Sequence, residues 1–152
     1  MLVKTRCFGE IDLEEDKILT FDSGIMGFED LKKFTILYDN EEGTPVISWL
    51  QSLDEEGLAI PVINPLLVRP DYNPIVEDEL LASLGELTEE NVVILLSVTV
   101  PADIKNITAN LKAPFVINAD TRKGCQLIVE NNDYEIKYNI YDAIQKIKKG
   151  EE

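Results

Sequence analysis

The sequence contains no histidine, and this absence removes several kinds of chemistry. Without histidine the chain lacks the base of Ser-His and Cys-His nucleophile pairs, the commonest general base, and the usual zinc ligand sets. Carboxylates remain available for acid–base catalysis, but nothing in the sequence places two of them in one apolar pocket. We therefore predict a protein with no enzymatic activity, no cofactor and no metal.

Cysteines and long apolar runs are also scarce. Cys7 and Cys125 are the only two cysteines, which is typical of reduced thiols that pack as small hydrophobic groups. The longest apolar run, residues 92–100, is interrupted by Ser97 and Thr99 and is far shorter than the ~20 residues that span a bilayer. The first residues lack the apolar core of a secretory signal. We expect a cytoplasmic protein that has no membrane segment.

Basic residues are few relative to acidic ones. The chain has 14 Lys and Arg against 29 Asp and Glu, which gives a formal net charge of −15. Such a charge repels phosphate backbones and attracts basic partners, so we predict no direct binding of nucleic acid. The same charge also keeps a protein soluble, and by itself it identifies no partner.

The remaining composition is that of an ordinary globular protein. Of the 152 residues, 45% are hydrophobic and 28% are charged, which is enough to build a packed core. We find no internal repeat, no low-complexity tract and no linker. The sequence therefore predicts one domain over residues 1–152.

Short strand patterns dominate the chain. Polar and apolar residues alternate near the start and again around residues 134–138, and apolar runs bounded by turn residues lie between them. Pro61 cannot donate a backbone hydrogen bond, so its strand is expected at a sheet edge or a bulge. About nine strands in total predict a mainly β fold, either a small barrel-like sheet or a strongly bent antiparallel sheet, with one or two peripheral helices. The apolar runs predicted to be strands are residues 34–38, 46–53, 58–63, 92–100, 115–118 and 125–129, and residues 92–100 suit a central strand.

Three segments have helical signals. Asn73 and Pro74 are typical of an N-cap and a first helical position, and Gly85 is placed to end the helix that follows. Residues 28–33 carry acids early and lysines late, which predicts one helical turn. Isoleucines at helical spacing and a cluster of lysines predict a short C-terminal helix at about residues 140–149.

Two local patterns that resemble ligand sites have simpler explanations. Acidic clusters at residues 39–42, 54–56 and 77–79 lack the spacing of a calcium-binding loop, so we interpret them as solvated turns. Gly24 and Gly27 lack the strand-to-helix context of a phosphate-binding loop, and we expect them to permit a tight turn.

Six motifs follow one another along nearly the whole chain and together resemble the FliW family of flagellar assembly factors. Residues 108–114 are the most specific of them. Met26 stands where the family usually has proline, and Lys112 stands where it usually has an apolar residue, which predicts partial exposure at position 112. The motifs are Phe8-Gly9-Glu10-Ile11, Gly24-Ile25-Met26-Gly27-Phe28-Glu29, Trp49-Leu50-Gln51-Ser52, Pro70-Asp71-Tyr72, Thr108-Ala109-Asn110-Leu111-Lys112-Ala113-Pro114, and Val116-Ile117-Asn118 with Arg122-Lys123-Gly124-Cys125-Gln126.

The resemblance implies a non-enzymatic partner switch in the biogenesis of the bacterial flagellum. A protein of this kind binds newly made flagellin as a chaperone does, and it also binds the RNA-binding translational regulator CsrA. Flagellin that occupies the protein leaves CsrA free to repress flagellin translation, and export of flagellin reverses this state. We expect a monomer. The alternatives are a small acidic β-barrel that binds or hydrolyses a small ligand, and a purely structural subunit.

Seven residues are predicted to contact partner proteins. Trp49 and Tyr72 are expected to be partly exposed, and aromatic residues of that kind are enriched at interfaces. The alternative is that Trp49 is a core residue, that Asn110 caps a backbone turn and that Leu111 packs inside. The sequence does not assign either partner to a face. The predicted partner-binding residues are Trp49, Gln51, Asp71, Tyr72, Asn110, Leu111 and Lys112.

Overall fold

The computed structural model describes residues 1–6, 8–38 and 47–148. Cys7, the acidic turn predicted at residues 39–43, and residues 149–152 lie outside the described residues. The described part contains eleven β-strands and three α-helices. The strands are β1 (Leu2–Thr5), β2 (Gly9–Asp12), β3 (Leu19–Thr20), β4 (Lys33–Tyr38), β5 (Ile47–Ser52), β6 (Ala59–Ile63), β7 (Val92–Thr99), β8 (Thr108–Ala109), β9 (Phe115–Asn118), β10 (Lys123–Gln126) and β11 (Tyr138–Asn139). The helices are α1 (Pro65–Val68), α2 (Asp78–Leu81) and α3 (Tyr141–Lys148), and 3-10 turns lie at Glu15–Lys17, Ala82–Leu84 and Ile104–Asn106.

Seven strands close into a ring. Their order is β7-β6-β5-β4-β3-β10-β9, and β9 pairs back with β7 through residues 115–118. The pairing is antiparallel at each step except between β3 and β10, which are parallel. The predicted mainly β, barrel-like fold is therefore confirmed, with the correction that the sheet is mixed rather than wholly antiparallel.

Strand β7, which contains the longest apolar run, pairs with three other strands and lies at the centre of the sheet. Its first half pairs with β9, its middle pairs with β6, and its last residues pair with β8, which in turn pairs with β11. Pro61 lies on β6 where that strand pairs with β5 but not with β7, because only Val62 and Ile63 pair with β7. Pro61 therefore sits at a local sheet edge, as predicted.

The ring has an apolar core on each face. Phe21, Phe34 and Phe115 meet edge to face inside it, with centroid distances of 5.4 and 6.2 Å from Phe21 to the other two rings. The outer face of β7 and β9 packs against α1, α3 and the C-terminal segment. Neighbouring residues alternate between these two cores, as Leu95 and Leu96 do. This explains why β7 reads as a continuous apolar run rather than as an alternating one.

The helices correct two predictions. Asn64, not Asn73, is an N-cap: its side chain accepts a hydrogen bond from the Leu66 amide at 3.0 Å, and Pro65 is the first residue of α1. Helix α2 begins after Glu77, so Asn73 caps no helix, although Gly85 does end the following turn with φ +86°. Residues 28–33 form a turn and the start of β4 rather than a helix. Helix α3 lies inside the range predicted from the isoleucine spacing.

The turn before β4 depends on glycine. Gly24 has φ +68°, and a Cβ at this position would overlap the backbone of Glu29, so a side chain is excluded by both conformation and space. Gly27 also has a left-handed φ of +87°. The glycines of this motif are therefore required by the turn, as the sequence predicted.

Candidate protein-binding surface

Three chain segments meet beyond the end of α1 and form one surface. They are residues 69–75 after α1, residues 110–113 between β8 and β9, and residues 131–135 before β11. We call them together the tyrosine-stack surface. Five of the seven predicted partner-binding residues lie in it: Asp71, Tyr72, Asn110, Leu111 and Lys112.

Two tyrosines form the base of this surface. The rings of Tyr72 and Tyr134 are stacked, with centroids 4.9 Å apart and an interplanar angle of 16°. The Tyr72 hydroxyl donates to the Leu111 carbonyl at 2.9 Å, and the Tyr134 hydroxyl accepts from the Asn73 amide at 2.6 Å. Tyr72 is only 7% exposed, which corrects the prediction that it is partly exposed. Desolvation by burial, aided by the nearby Tyr134, raises the pKa of the Tyr72 phenol.

Arg69 packs against the stacked tyrosines and binds two carboxylates. Its guanidinium lies 4.6 Å from the Tyr134 ring centroid and 5.6 Å from that of Tyr138. It donates to Asp71 at 3.2 Å and to Asp133 at 3.4 Å. Burial acts to lower the pKa of Arg69, but hydrogen bonding and charge, chiefly from Asp71, raise it overall. The arginine is thus fixed while both carboxylates stay in solvent, with side chains 81% and 72% exposed.

The segment between β8 and β9 begins with a turn that the Asn110 side chain caps. The Asn110 side-chain oxygen accepts from the amides of Lys112 and Ala113 at 2.9 and 3.1 Å. Leu111 is completely buried, so the alternative in which Asn110 caps a turn and Leu111 packs inside is confirmed. Lys112 is half-buried and donates from Nζ to the Asn131 carbonyl at 2.7 Å. Partial exposure at position 112 was predicted.

Trp49 and Gln51 lie apart from this surface on the outer face of β5. Gln51 is fully buried: its side-chain oxygen accepts from the Arg6 amide at 3.0 Å, and its side-chain nitrogen donates to the carbonyls of residues 52, 56 and 58. Trp49 is half-buried in register between Leu37 and Pro61. None of these hydrogen bonds of Gln51 reaches the tyrosine-stack surface.

Sequence reasoning missed the residues that hold the surface together. Arg69, Asn131, Asp133 and Tyr134 are distant in sequence from the turn at Asn110. The alternation around residues 134–138 includes Tyr134, but it predicted a strand and not a contact surface. Arg69 directly precedes the motif at residues 70–72, which is the one signal that pointed to this neighbourhood. Asn131 links two segments, because its side chain accepts from the Ile75 amide and donates to the Asn73 carbonyl.

The described residues offer little for a metal or for a ligand inside the barrel. Among residues 1–6, 8–38 and 47–148, no three His, Cys, Asp or Glu side chains converge to hold a metal. The barrel interior is filled by side chains that include Phe21, Phe34, Leu50 and Phe115, each at most 1% exposed. Cys125 is half-buried, and burial raises the pKa of its thiol.

These features define the class of small closed β domains whose interior is packed with side chains. No helix in the part of the chain that the structure describes has the length and apolar character needed to span a bilayer.

Comparison with known proteins identifies the family. The profile of the FliW protein family matches residues 2–140. The flagellar assembly factor FliW of Lachnoclostridium phytofermentans is 57% identical over 153 aligned residues, covering 100% of this chain and 98% of the relative. That of Thermotoga neapolitana is 38% identical, covering 97% of this chain and 98% of the relative. The chain belongs to the FliW family.

A solved structure agrees with this assignment. The crystal structure of a flagellar assembly factor FliW superposes with a TM-score of 0.84 at 31% identity, covering 92% of this chain and 96% of that one. The resemblance read from the six motifs is therefore confirmed, and the relatives are named for assembly of the flagellum rather than for a reaction.

Proposed function

We propose that this protein is a non-enzymatic partner switch of flagellum biogenesis that binds flagellin and antagonises CsrA in the cytoplasm, as a monomer. The full-length match to flagellar assembly factors carries this proposal. While flagellin occupies the protein, CsrA is free to repress flagellin translation. When flagellin is exported, the protein binds CsrA and relieves the repression.

The tyrosine-stack surface is our candidate for contact with CsrA. Its base is rigid, because stacked rings and an arginine held by two carboxylates fix the three segments. Its rim carries the exposed acids Asp71, Asp133 and Glu135, and the exposed Glu130 adjoins it, because the Glu130 amide donates to the Ile75 carbonyl. Acidic groups on a preorganised base are complementary to a basic RNA-binding partner. Here Tyr72 and Leu111 support the contact from beneath, and Asp71, Asn110 and Lys112 present polar groups to the partner.

Helix α1 is our candidate anchor for flagellin. Leu66 and Leu67 are 56% and 42% exposed, although α1 also packs against α3 and β7. The terminal helical region of flagellin has an apolar face that is covered only in the filament, and such a helix docks through a few apolar anchors. Helix α1 runs directly into Arg69, so the two candidate sites are neighbours in the chain. Partners at adjacent sites can compete, which is what a switch requires.

Calorimetry with a flagellin terminal peptide tests the flagellin half of the proposal. We expect binding with a negative heat-capacity change, because apolar surface is buried. The variant Leu66→Ser with Leu67→Ser should weaken this binding by about tenfold or more, because two apolar anchors are lost. Met26→Ser, at an apolar position that is 44% exposed in the turn before β4, is the control. No detectable heat and no co-elution at micromolar concentration would contradict the proposal.

A second titration tests the CsrA half. Asp71→Lys with Asp133→Lys should weaken CsrA binding and slow association, because complementary charge mainly steers encounter. Glu15→Lys with Asp16→Lys changes the net charge equally at a distant turn and should leave most of the affinity. Equal losses in the two variants would show that net charge, and not this surface, determines binding. Trp49→Ala tests the half-buried one of the two predicted positions on β5, since Gln51 is fully buried.

A further inference from the structure

A basic cleft lies on the outside of the ring, away from the tyrosine-stack surface. It has a volume of about 350 Å³ and lies where β3, β4 and β10 run side by side. Its lining contains three basic side chains and one carboxylate. This excess of bases is unusual in a chain with 29 acidic and 14 basic residues. The lining includes Met1, Glu15, Thr20, Lys33, Arg122 and Lys123.

Strand register places two of the bases on either side of one hydroxyl. Thr20 pairs with Lys33 of β4 on one side and with Lys123 of β10 on the other. Leu19 and Phe21 point into the barrel, so Thr20 and its two neighbours face outward. The lysine backbones are two strand spacings apart, about 10 Å, which allows both ammonium groups to reach one anion between them.

The polar groups at the centre of this row are available to a ligand. Lys33 Nζ donates to Thr20 Oγ1 at 2.9 Å, so the proton of the Thr20 hydroxyl remains free to donate. Lys33 and Arg122 make no ion pair with any residue that the structure describes. Lys123 lies 3.7 Å from Asp22, an exposed pair that contributes little to stability. The Met1 ammonium is already bound by Asp12 at 2.9 Å.

The backbone conformation of Arg122 and two backbone hydrogen bonds fix the position of this residue at the cleft. It is the one non-glycine residue with positive φ, +59°, among the described residues. Its amide donates to the Asn118 carbonyl at 2.8 Å, and its carbonyl accepts from the Thr20 amide at 2.8 Å. Left-handed backbone is unfavourable for an L-residue and is concentrated at functional sites. The turn thus presents a guanidinium beside the two lysines.

We propose that this cleft binds the phosphoryl group of a small molecule. A guanidinium, two ammonium groups and a hydroxyl donor match an anion with several oxygens and more than one charge better than they match a single carboxylate. The volume of about 350 Å³ is at the lower end of the range for small-molecule sites. Elsewhere the net charge of −15 opposes anion binding, so the site is confined to the cleft.

Titration of the ¹⁵N-labelled full chain with pyrophosphate, at constant ionic strength, tests the proposal. We expect saturable shifts at the amides of Thr20, Lys33, Arg122 and Lys123. Arg122→Asn and Lys33→Gln should each weaken binding by about tenfold or more, because each removes a charge-assisted hydrogen bond. Asparagine tolerates the left-handed backbone, so the turn is kept. Lys105→Gln, an exposed lysine on another turn, is the matched control and should bind normally.

Two further titrations distinguish binding at this cleft from nonspecific attraction of anions to basic side chains. Asp22→Asn should strengthen binding several-fold, because it frees Lys123 and removes a neighbouring negative charge. Acetate should bind much more weakly than pyrophosphate. Absence of saturable shifts at the cleft, equal loss in Lys105→Gln, or equal affinity for acetate would each overturn the proposal.

Discussion

At the scale of single residues, Tyr72 shows how a predicted contact residue supports a surface from below. Its hydroxyl is the one donor to the Leu111 carbonyl among the described residues, and both groups are buried. Tyr72→Phe keeps the stack on Tyr134 but leaves that carbonyl without a partner. We expect the free energy of unfolding at neutral pH to fall by about 1–3 kcal/mol, measured by urea unfolding. An unchanged value would show that the hydrogen bond contributes nothing.

The same variant has a pH-dependent consequence. Burial raises the pKa of the Tyr72 phenol in the folded protein above its ordinary value of 10.0. Above about pH 10 the unfolded chain therefore loses this proton first, and the stability contributed by Tyr72 falls as pH rises. Tyr72→Phe lacks the group, so the stability gap between wild type and variant should narrow above pH 10. A gap that stays constant across this range contradicts the assignment.

At the scale of elements, two Asn-Pro pairs carry the same local signal but have different structures. Asn64 caps α1, whereas Asn73 lies in an extended connection whose backbone bonds to Tyr134 and Asn131. We expect Asn64→Ala to lower the free energy of unfolding by about 1 kcal/mol, because the Leu66 amide loses its acceptor. Asn73→Ala should change it little, since both bonds use the backbone. Equal effects in thermal or urea unfolding would show that the cap is not stabilising.

At the scale of the whole molecule, the net charge of −15 suggests how the protein silences CsrA under the proposed function. An acidic body docked beside a basic groove repels incoming phosphates within about a Debye length, ~10 Å at 0.1 M salt. We expect the loss of RNA affinity that saturating protein causes in CsrA to shrink as salt rises, because salt screens repulsion. The measurement is the ratio of RNA affinities with and without the protein. If this ratio stays constant from low to high salt while the complex remains intact, the block is steric or conformational instead.

The mainly β class was predictable because the strands follow local rules. Alternation and apolar runs bounded by turn residues identified β4 to β7 and β9 to within one or two residues, and isoleucine spacing identified α3. Absence of histidine and the excess of acid are properties of composition, which no fold can alter. The six motifs identified the family because their order along the chain is itself sequence information.

Ring closure and the two candidate binding surfaces were decided only by tertiary structure. The β7–β9 pairing, the parallel pairing of β3 with β10 and the meeting of residues 69–75, 110–113 and 131–135 join segments distant in sequence. Burial of Gln51 and Leu111 depends on what packs over them, and no local pattern specifies that. The basic cleft likewise exists because strand register places Lys33 and Lys123 beside Thr20. Local physics fixes the elements, whereas sites depend on long-range contacts that form only when the ring closes.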